Sequence, residues 1–304
     1  MTDAHAASRA RSLAEFGKLG GVMFAPADIG AGIGAYRARA SDVVITPFAK
    51  CGTTWLQQIF HTLRTRGDFD FDDISRVVPW IETAKIVDLD LEAPQRAEPR
   101  GFKSHLSYTA VPKGARYIVA FRDPKDACVS MHKFMEGWFL EPGAVSMTEF
   151  AENWIGRGAA GTDYWTHLLS WWAERDNPAV LILSYEQMTA EPEAAIRQVA
   201  AFCGIALDDE LMALTKAQSS FAFMLEHKDR FDDVMMRKAS EARCNLPPGS
   251  DSAKVRKGGS GGHKAELSPD IAAAIDAMWA ARVAPVTGFA DYAALVAEIQ
   301  RRNR

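Results

Sequence analysis

Three short runs of consecutive apolar residues punctuate the chain. They are Val43–Ile45, Tyr117–Phe121 and Val180–Leu183, and a further candidate runs from Gly101 to His105. Consecutive rather than alternating apolar residues are typical of parallel strands that are buried on both faces. The pattern therefore predicts a buried, mainly parallel sheet.

Helical periodicity separates these runs. Apolar positions from Trp55 to Leu63 form one stripe at helical spacing, and Asp123-Pro124 supplies an N-cap followed by proline at the first helical position. Further helices are predicted at Met147–Gly156, Tyr164–Arg175, Pro192–Cys203, Pro269–Ala281 and Tyr292–Arg301. Strands that alternate with helices indicate an α/β fold with a central, mainly parallel sheet flanked by helices. The simplest interpretation is a single domain over residues 1–304.

Composition and charge narrow the functional classes. The chain is 48% hydrophobic and 24% charged, with a formal net charge of -4, which argues against broad nucleic-acid binding. A small anionic ligand is still compatible, because it needs only a few cations. No window approaches the ~20 apolar residues of a membrane span, the N-terminal stretch lacks a secretory apolar core, and the scattered cysteines favour reduced thiols. We therefore expect a cytoplasmic protein.

The turn after the first apolar run has the composition of a phosphate-binding loop. Lys50, Gly52, Thr53 and Thr54 connect that run to the helical stripe. A turn in this position directs backbone N–H groups and the positive end of a helix at an anion. Compared with the Walker A pattern, the lysine precedes the glycine instead of following it. A strand-turn-helix connection with an incidental lysine is the alternative.

Residues 45–55 resemble the phosphosulfate-binding loop of the cytosolic-type sulfotransferases that use 3′-phosphoadenosine 5′-phosphosulfate (PAPS). The family loop typically reads T-Y-P-K-S-G-T-T-W, and the matching positions here are Lys50, Gly52, Thr53, Thr54 and Trp55. Cys51 replaces the usual serine, so a hydroxyl donor is lost while a backbone N–H is kept for phosphate. The resemblance implies a P-loop-like sulfotransferase fold in which these residues seat the 5′-phosphosulfate and the adenine.

The segment Phe102–Leu106 resembles the family's K-T-H-L, whose histidine is the catalytic base. Alternation along an extended segment places Lys103 and His105 on one face, and an imidazole can act as a base near neutral pH. The resemblance implies that His105 deprotonates the acceptor, Lys103 holds sulfuryl oxygens and Lys50 stabilises the leaving oxygen. A structural or solvated histidine is the alternative.

Residues 117–130 resemble the family's 3′-phosphate-binding element, R-[DN]-P-[KR]-D-x-x-x-S. Arg122 lies at the carboxyl end of a predicted buried strand, where open α/β sheets bind ligands, and its guanidinium can grip a phosphate. Asp126 and Ser130 share a helix face. The resemblance assigns Arg122 and Ser130 to the 3′-phosphate, with Ser130 also restraining Lys50. The alternative is that Arg122 merely pairs with Asp126.

Later matches complete the donor site. Arg256-Lys257-Gly258 resembles the R-K-G of the loop that closes over the 3′-phosphate, although the family's usual G-D-W continuation is missing. A flexible glycine-rich surface loop is the alternative there. Further matches imply adenosine contacts from Tyr185, Ser220, Phe221 and Met224. The motifs span about 42–264, and we expect residues 1–20 to be a flexible extension.

Together the motifs imply an enzyme that moves a sulfuryl group from PAPS to a hydroxyl or amine and releases 3′-phosphoadenosine 5′-phosphate (PAP). No metal is implied, because the lysines would neutralise the charge that Mg²⁺ neutralises in kinases. An apolar pocket would suit a small acceptor such as a phenol, steroid, alcohol or lipid. Its candidate residues, which could equally be core, are Trp80, Phe134, Trp138 and Phe139.

Two other functional classes are open. A P-loop kinase would carry a lysine directly after Gly52, where Thr53 stands, and a Mg²⁺-binding aspartate at the end of an apolar strand. A non-catalytic module that binds PAP or another nucleotide would lack a base, whereas Lys50, Lys103 and His105 are all present.

Overall fold

The computed structural model describes residues 7–156, 163–252, 254–255 and 258–303. Its strands are β1 (Val43–Ile45), β2 (Gly101–Lys103), β3 (Arg116–Phe121) and β4 (Val180–Ser184). All pairs are parallel, in the order β2-β1-β3-β4. The predicted sheet is confirmed, but β2 ends at Lys103: the N–H of Ser104 still donates to the Ile45 carbonyl at 2.9 Å, and the next N–H on that side, of Leu106, donates to the Ser104 hydroxyl at 3.1 Å instead of to β1.

The helices of the described residues surround this sheet, and the predicted α/β architecture is confirmed. They are α1 (Leu13–Met23), α2 (Pro26–Ala35), α3 (Thr53–Thr65), α4 (Ile74–Val77), α5 (Pro124–Glu136), α6 (Met147–Gly156), α7 (Tyr164–Trp172), α8 (Tyr185–Ala190), α9 (Pro192–Cys203), α10 (Asp209–Gln218), α11 (Phe221–Glu226), α12 (Val234–Cys244), α13 (Pro269–Met278), α14 (Ala284–Thr287) and α15 (Tyr292–Arg302). None of them is long and apolar enough to cross a bilayer.

Both faces of the sheet are buried, as the consecutive apolar runs predict. Along β3, Tyr117, Val119 and Phe121 belong to one core cluster, which also takes apolar side chains from α5, α6 and α7. Ile118 and Ala120 belong to a second cluster, together with side chains from α3, α9 and α10. This two-sided packing holds the strands rigidly, so the loops at their carboxyl ends have a fixed platform.

The N-terminal segment, which the sequence predicts to be a flexible extension, is helical over part of its length. Residues 13–20 belong to α1, where the side chain of Ser12 accepts a hydrogen bond from the N–H of Glu15 at 3.2 Å and Met23 is fully buried. Next in the chain, α2 packs closely on the turn at 81–83: a Cβ at Gly32 would lie 2.6 Å from the Ile81 carbonyl oxygen. Glycine at this position therefore lets α2 hold the turn that carries Glu82.

Candidate active site

A cavity of about 1210 Å³ opens at the carboxyl end of the sheet, where open α/β sheets bind ligands. Its lining brings together most of the predicted site residues: Lys50, Gly52, Thr53, Thr54, Trp55, Trp80, Lys103, His105, Arg122, Ser130, Phe134, Trp138, Phe139, Tyr185, Phe221, Met224 and Gly258. Cys51 and Ser220 are not part of the lining. Arg256 and Lys257 lie outside the described residues.

The loop between β1 and α3 is a tight backbone cradle. Lys50 and Gly52 have φ values of 71° and 93°, in the left-handed region. At Gly52 a Cβ would also lie 3.1 Å from the ring of Tyr185, so glycine satisfies both the backbone and the packing. Because α3 begins at Thr53, the N–H groups of its first turn have no partner within the helix and are available to an anion.

Two polar atoms in the first turn of α3, beside the cradle, are buried without a hydrogen bond. They are Oγ1 of Thr53 and Nε1 of Trp55, neither of which has a partner among the described residues. Buried polar groups are normally satisfied, because leaving them unpaired costs free energy. The cradle and these two atoms fit a polar, phosphate-bearing ligand.

Cys51 is placed differently from the expectation that its backbone N–H would contact phosphate. That N–H donates to the carbonyl of Phe48 at 3.0 Å, and the thiol is fully buried in the same core cluster as Phe48. Burial raises the pKa of the Cys51 thiol to about 12, so it stays protonated. In this geometry the thiol packs in the core, and the Cys51 N–H is already paired with a backbone carbonyl.

The ammonium group of Lys50 lies deep in the cavity. Its Nζ lies 3.9 Å from the centre of the Phe134 ring, one turn beyond Ser130 on α5. Burial, then the positive charge of Lys254, lowers the pKa of Lys50 from 10.5 to about 7. A nearby anion would favour the charged form again. Lys50 is therefore poised to gain a proton when an anionic ligand binds.

Lys103 occupies the neighbouring wall at the end of β2. Its Nζ lies 4.0 Å from the centre of the Trp80 ring and 3.5 Å from the carboxylate of Asp233. Burial lowers the pKa of Lys103 to about 8, although Asp233 opposes the change. The cavity thus contains two lysines that titrate near neutral pH.

Two hydrogen bonds orient His105, one from its backbone N–H to the Glu82 carboxylate and one from its ring. The Nδ1–H group donates to the Pro47 carbonyl at 2.8 Å, because a carbonyl oxygen can only accept. This leaves Nε2 unprotonated in the neutral ring. Burial, then the charge of Lys103, holds the pKa of His105 well below 6.5, so the imidazole is neutral at physiological pH. It can accept a proton at Nε2.

Arg122 braces the loop from the end of β3. Its Nη1 donates to the Lys50 carbonyl at 2.8 Å and its Nη2 to the Gly259 carbonyl at 3.2 Å, while the guanidinium lies 4.3 Å from the Tyr185 ring centre. The alternative that Arg122 merely pairs with Asp126 is wrong. The guanidinium instead connects the two loops that border the cavity.

Asp126 on α5 binds the loop that contains Gly258, Gly261 and His263, which we call the late loop. Its carboxylate accepts hydrogen bonds from the N–H of Gly261 at 2.6 Å and from the N–H and ring Nδ1–H of His263, each at 2.9 Å. Although burial alone would raise it, these donors lower the pKa of Asp126, so the carboxylate stays charged. Ser130, one turn further along α5, faces the cavity. One helix therefore holds the late loop and presents cavity residues.

The predicted adenosine-contacting residues divide into two groups. The rings of Tyr185 and Trp55 meet edge to face with centres 5.8 Å apart, and Phe221, 42% exposed, packs beside Gly258. Met224 is buried but still reaches the lining. Ser220, by contrast, caps α11 by accepting a hydrogen bond from the Phe223 N–H at 3.2 Å.

The opposite end of the cavity is apolar. Trp80, Phe134, Trp138 and Phe139, the predicted acceptor candidates, all line it. The helices α1 and α2 and the turn between them contribute further apolar residues that no motif indicated, namely Phe16, Phe24, Ile29 and Ile33. The cavity therefore has a cationic end and an apolar end, which meet where the rings of Phe134 and Trp80 lie against Lys50 and Lys103.

Sequence reasoning also missed three charged residues of the lining: Glu82, Asp233 and Lys254. They lie outside the recognisable motifs, and only the position of Lys254 just before Arg256-Lys257 hinted at a role. Among the described residues no group of three or more His, Cys, Asp or Glu side chains could hold a metal ion.

The fold and the cavity define an α/β protein with a backbone cradle that fits an anion, beside a neutral, oriented histidine. Residues 40–286 match the sulfotransferase domain family, and the chain belongs to that family. It is therefore a transferase.

Two individual relatives are also sulfotransferases. Luciferin sulfotransferase from Photinus pyralis is 26% identical over 274 residues, covering 79% of this chain and 70% of the relative. Sulfotransferase 1E1 from Bos taurus is 29% identical over 242 residues, with coverage of 74% and 82%.

Two solved structures share the fold. A retinol dehydratase in complex with androsterone and inactive cofactor PAP is 18% identical, has a TM-score of 0.69 and covers 90% of this chain and 94% of its own. A mouse sulfotransferase complexed with PAP is 20% identical, with a TM-score of 0.67 and coverage of 92% and 95%.

Proposed function

We propose that this sulfotransferase takes its sulfuryl group from PAPS and transfers it to a hydroxyl or amine of a small apolar acceptor, releasing PAP. The observation that carries the proposal is the meeting of Lys50, Lys103 and the neutral imidazole of His105 in one cavity, beside the cradle at Gly52. A nucleotide module without catalysis has no need of a histidine oriented in this way.

In the proposed reaction, Nε2 of His105 takes the proton of the acceptor hydroxyl or amine as the acceptor atom forms a bond to sulfur. The bond between sulfur and the bridging oxygen breaks, and its electron pair remains on the 5′-phosphate of PAP. Lys50 stabilises the charge that develops on this oxygen, and Lys103 contacts the sulfuryl oxygens. The tautomer of His105 supports the first step, because Nδ1 is already occupied by the Pro47 carbonyl.

The donor would lie at the cationic end of the cavity. Gly52, Thr53 and Thr54 would bind the 5′-phosphate through the helix N-terminus, and the unpaired Oγ1 of Thr53 would gain a partner. Arg122 and Ser130, with Arg256, Lys257 and Gly258 of the late loop, would bind the 3′-phosphate. The aromatic pair of Trp55 and Tyr185 would flank the adenine. That two fold relatives are complexed with PAP supports this choice.

The acceptor would lie at the apolar end. The aromatic side chains there, including Trp80 and Phe134, can exclude water from a phenol, steroid, alcohol or lipid-like molecule while its hydroxyl or amine reaches His105. The fold relative that binds androsterone supports an acceptor of this chemistry.

PAP and ADP should be distinguished clearly by calorimetry. We expect PAP to bind at least about 100-fold more tightly, because only PAP carries the 3′-phosphate that Arg122 would grip. The variant Arg122→Gln should weaken PAP binding roughly 10-fold to 100-fold and ADP binding much less, because only the hydrogen bond that braces the Lys50 carbonyl is lost for both ligands. Arg66→Gln, which removes an exposed partner of Asp208, is the matched control. Tighter binding of ADP by the wild type would favour a kinase and refute the proposal.

Binding of PAP at pH 8 should be accompanied by uptake of about one proton. The pKa of Lys50 is lowered to about 7 and that of Lys103 to about 8, so at this pH Lys50 is mostly neutral and Lys103 is about half neutral in the free protein. A bound 5′-phosphate raises both pKa values, and the phosphates are already fully ionised at pH 8. The binding enthalpy should therefore change with the ionisation enthalpy of the buffer. An enthalpy independent of the buffer would contradict the expectation.

A further inference from the structure

Three ionic side chains of the cavity lining form a cluster: Lys103, which the K-T-H-L resemblance indicated, and Asp233 and Lys254, which no motif indicated. We propose that Lys254 is a further catalytic residue that contacts the sulfuryl oxygens beside Lys103, and that Asp233 is the positioning residue that holds the two lysines side by side. This inference rests on the proposed sulfuryl transfer from PAPS.

The geometry is that of one carboxylate shared by two ammonium groups. Oδ1 of Asp233 lies 3.5 Å from Nζ of Lys103, and Oδ2 lies 2.6 Å from Nζ of Lys254. The side chains of Lys103, Asp233 and Lys254 are only 3%, 4% and 10% exposed, and all three residues line the cavity. The two lysines are therefore held next to each other, within reach of the same ligand.

The backbone at Asp233 is strained to achieve this arrangement. Its φ is 48°, in the left-handed region, which aspartate enters more readily than most residues but still at a cost in free energy, at the residue that precedes α12. The hydroxyl of Ser75 also lies 3.5 Å from Oδ1. Backbone strain of this kind persists where the surrounding contacts demand it, and it concentrates at functional sites. Here it aims the carboxylate at both ammonium groups.

The charges of the cluster do not balance. Asp233 compensates one of its two ammonium partners, and although Asp73 and Glu82 also raise the pKa of Lys103, the lining adds the guanidinium of Arg122 and the amine of Lys50. Burying an uncompensated ammonium is costly unless an anion accompanies it. A sulfuryl group in transfer carries negative charge on its non-bridging oxygens and would supply that anion. Asp233 alone would attract cations, but with both lysines attached the cluster is a site for an anion.

In the transfer step the cluster would act on atoms that the 5′-phosphate cradle does not reach. As the bond from sulfur to the bridging oxygen breaks and the bond to the acceptor forms, charge is spread over the non-bridging sulfuryl oxygens. Lys103 and Lys254 can contact two of these oxygens at once. Lys50 remains at the bridging oxygen and His105 takes the acceptor proton, so each group contacts a different atom in the transfer step.

The first test is the variant Lys254→Met with PAPS and a working acceptor. We expect kcat to fall roughly 10²-fold, the typical loss for one donor to a developing charge. The affinity for PAP should change less than about 3-fold, since PAP lacks the sulfuryl group. Lys254→Arg should restore part of kcat. Lys228→Met, which removes an exposed partner of Asp251, is the control. A wild-type kcat, or an equal loss of PAP affinity, overturns the role of Lys254.

The second test is the alkaline limb of the pH profile of kcat/KM. The charged and titratable groups that face Lys103 are Asp233, Lys254, Asp73, Glu82, Lys50 and His105. Asp233 raises the pKa of Lys103 and Lys254 lowers it. Asp233→Asn should therefore move the limb to lower pH, and Lys254→Met should move it to higher pH. A purely structural role would not produce opposite movements, so shifts in one direction or no shift overturn the positioning role.

The outcomes separate this inference from the proposed function. If Asp233→Asn does not fold, the predicted upward shift in Lys254→Met still decides the question. The affinity for PAPS relative to PAP is a readout that needs no acceptor, and Lys254→Met should reduce that ratio. A wild type that binds neither PAP nor PAPS overturns the proposed function together with the inference. An active wild type whose Lys254→Met variant is unchanged overturns the inference alone.

Discussion

Replacement of His105 by alanine should lower kcat by about 10²-fold to 10⁴-fold, the range for loss of a positioned general base. The variant loses the unprotonated Nε2 that the bond from Nδ1–H to the Pro47 carbonyl leaves free. Burial and the charge of Lys103 hold the pKa of His105 well below 6.5. The wild-type rate should therefore begin to fall only when the pH drops below 6.5. Steady-state sulfation of a working acceptor across pH 5 to 9 measures both effects.

The His105→Ala variant should still bind PAP as the wild type does, since the imidazole makes its proposed contact with the acceptor. Added imidazole should recover part of kcat by supplying a proton acceptor in the space that the side chain vacates. If the variant keeps the wild-type kcat while the chemical step limits the rate, the assignment of the base is wrong.

Replacement of Lys50 by methionine should lower kcat by about 10³-fold and weaken PAP binding by about 10-fold. The larger effect is on kcat, because the charge on the leaving oxygen develops only in the transition state. Lys50→Arg should recover little of kcat, since the planar guanidinium cannot replace a compact ammonium at one oxygen. Single-turnover measurements with PAPS separate the chemical step from product release.

The same methionine variant should also lose most of the proton uptake on PAP binding at pH 8, because Lys50 is the group whose pKa lies near 7. Lys216→Met, which removes an exposed partner of Glu193, is a control of equal charge change outside the cavity lining. A Lys50→Met variant with weaker PAP binding but an unchanged chemical rate would restrict Lys50 to binding.

The sheet was predictable from sequence because its strands are buried on both faces, so that Val43–Ile45 and Tyr117–Phe121 are apolar throughout. The helix α1 was not, because its glycines have low helix propensity and obscure the apolar pattern. Its stability comes from tertiary packing at positions such as Met23, which no local pattern indicates.

The site was predictable where function depends on local geometry. The spacing of Lys50 and Gly52 predicted the cradle, and the strand ends predicted the positions of Lys103 and Arg122. Contacts between distant segments were not predictable. Two examples are the hydrogen bond from the His105 N–H to Glu82 and the hydrogen bonds that Asp126 accepts from the late loop. Both depend on how helices and turns pack.

The placement of α1 and α2 has a consequence for how the enzyme could diversify. Both helices precede residue 40, where the family match begins, yet they line the apolar end of the cavity. The cradle, His105 and Arg122 all come from later segments at the edge of the sheet. Under the proposed function, substitutions confined to one short N-terminal stretch would change the range of acceptors and leave the residues proposed to bind the donor intact.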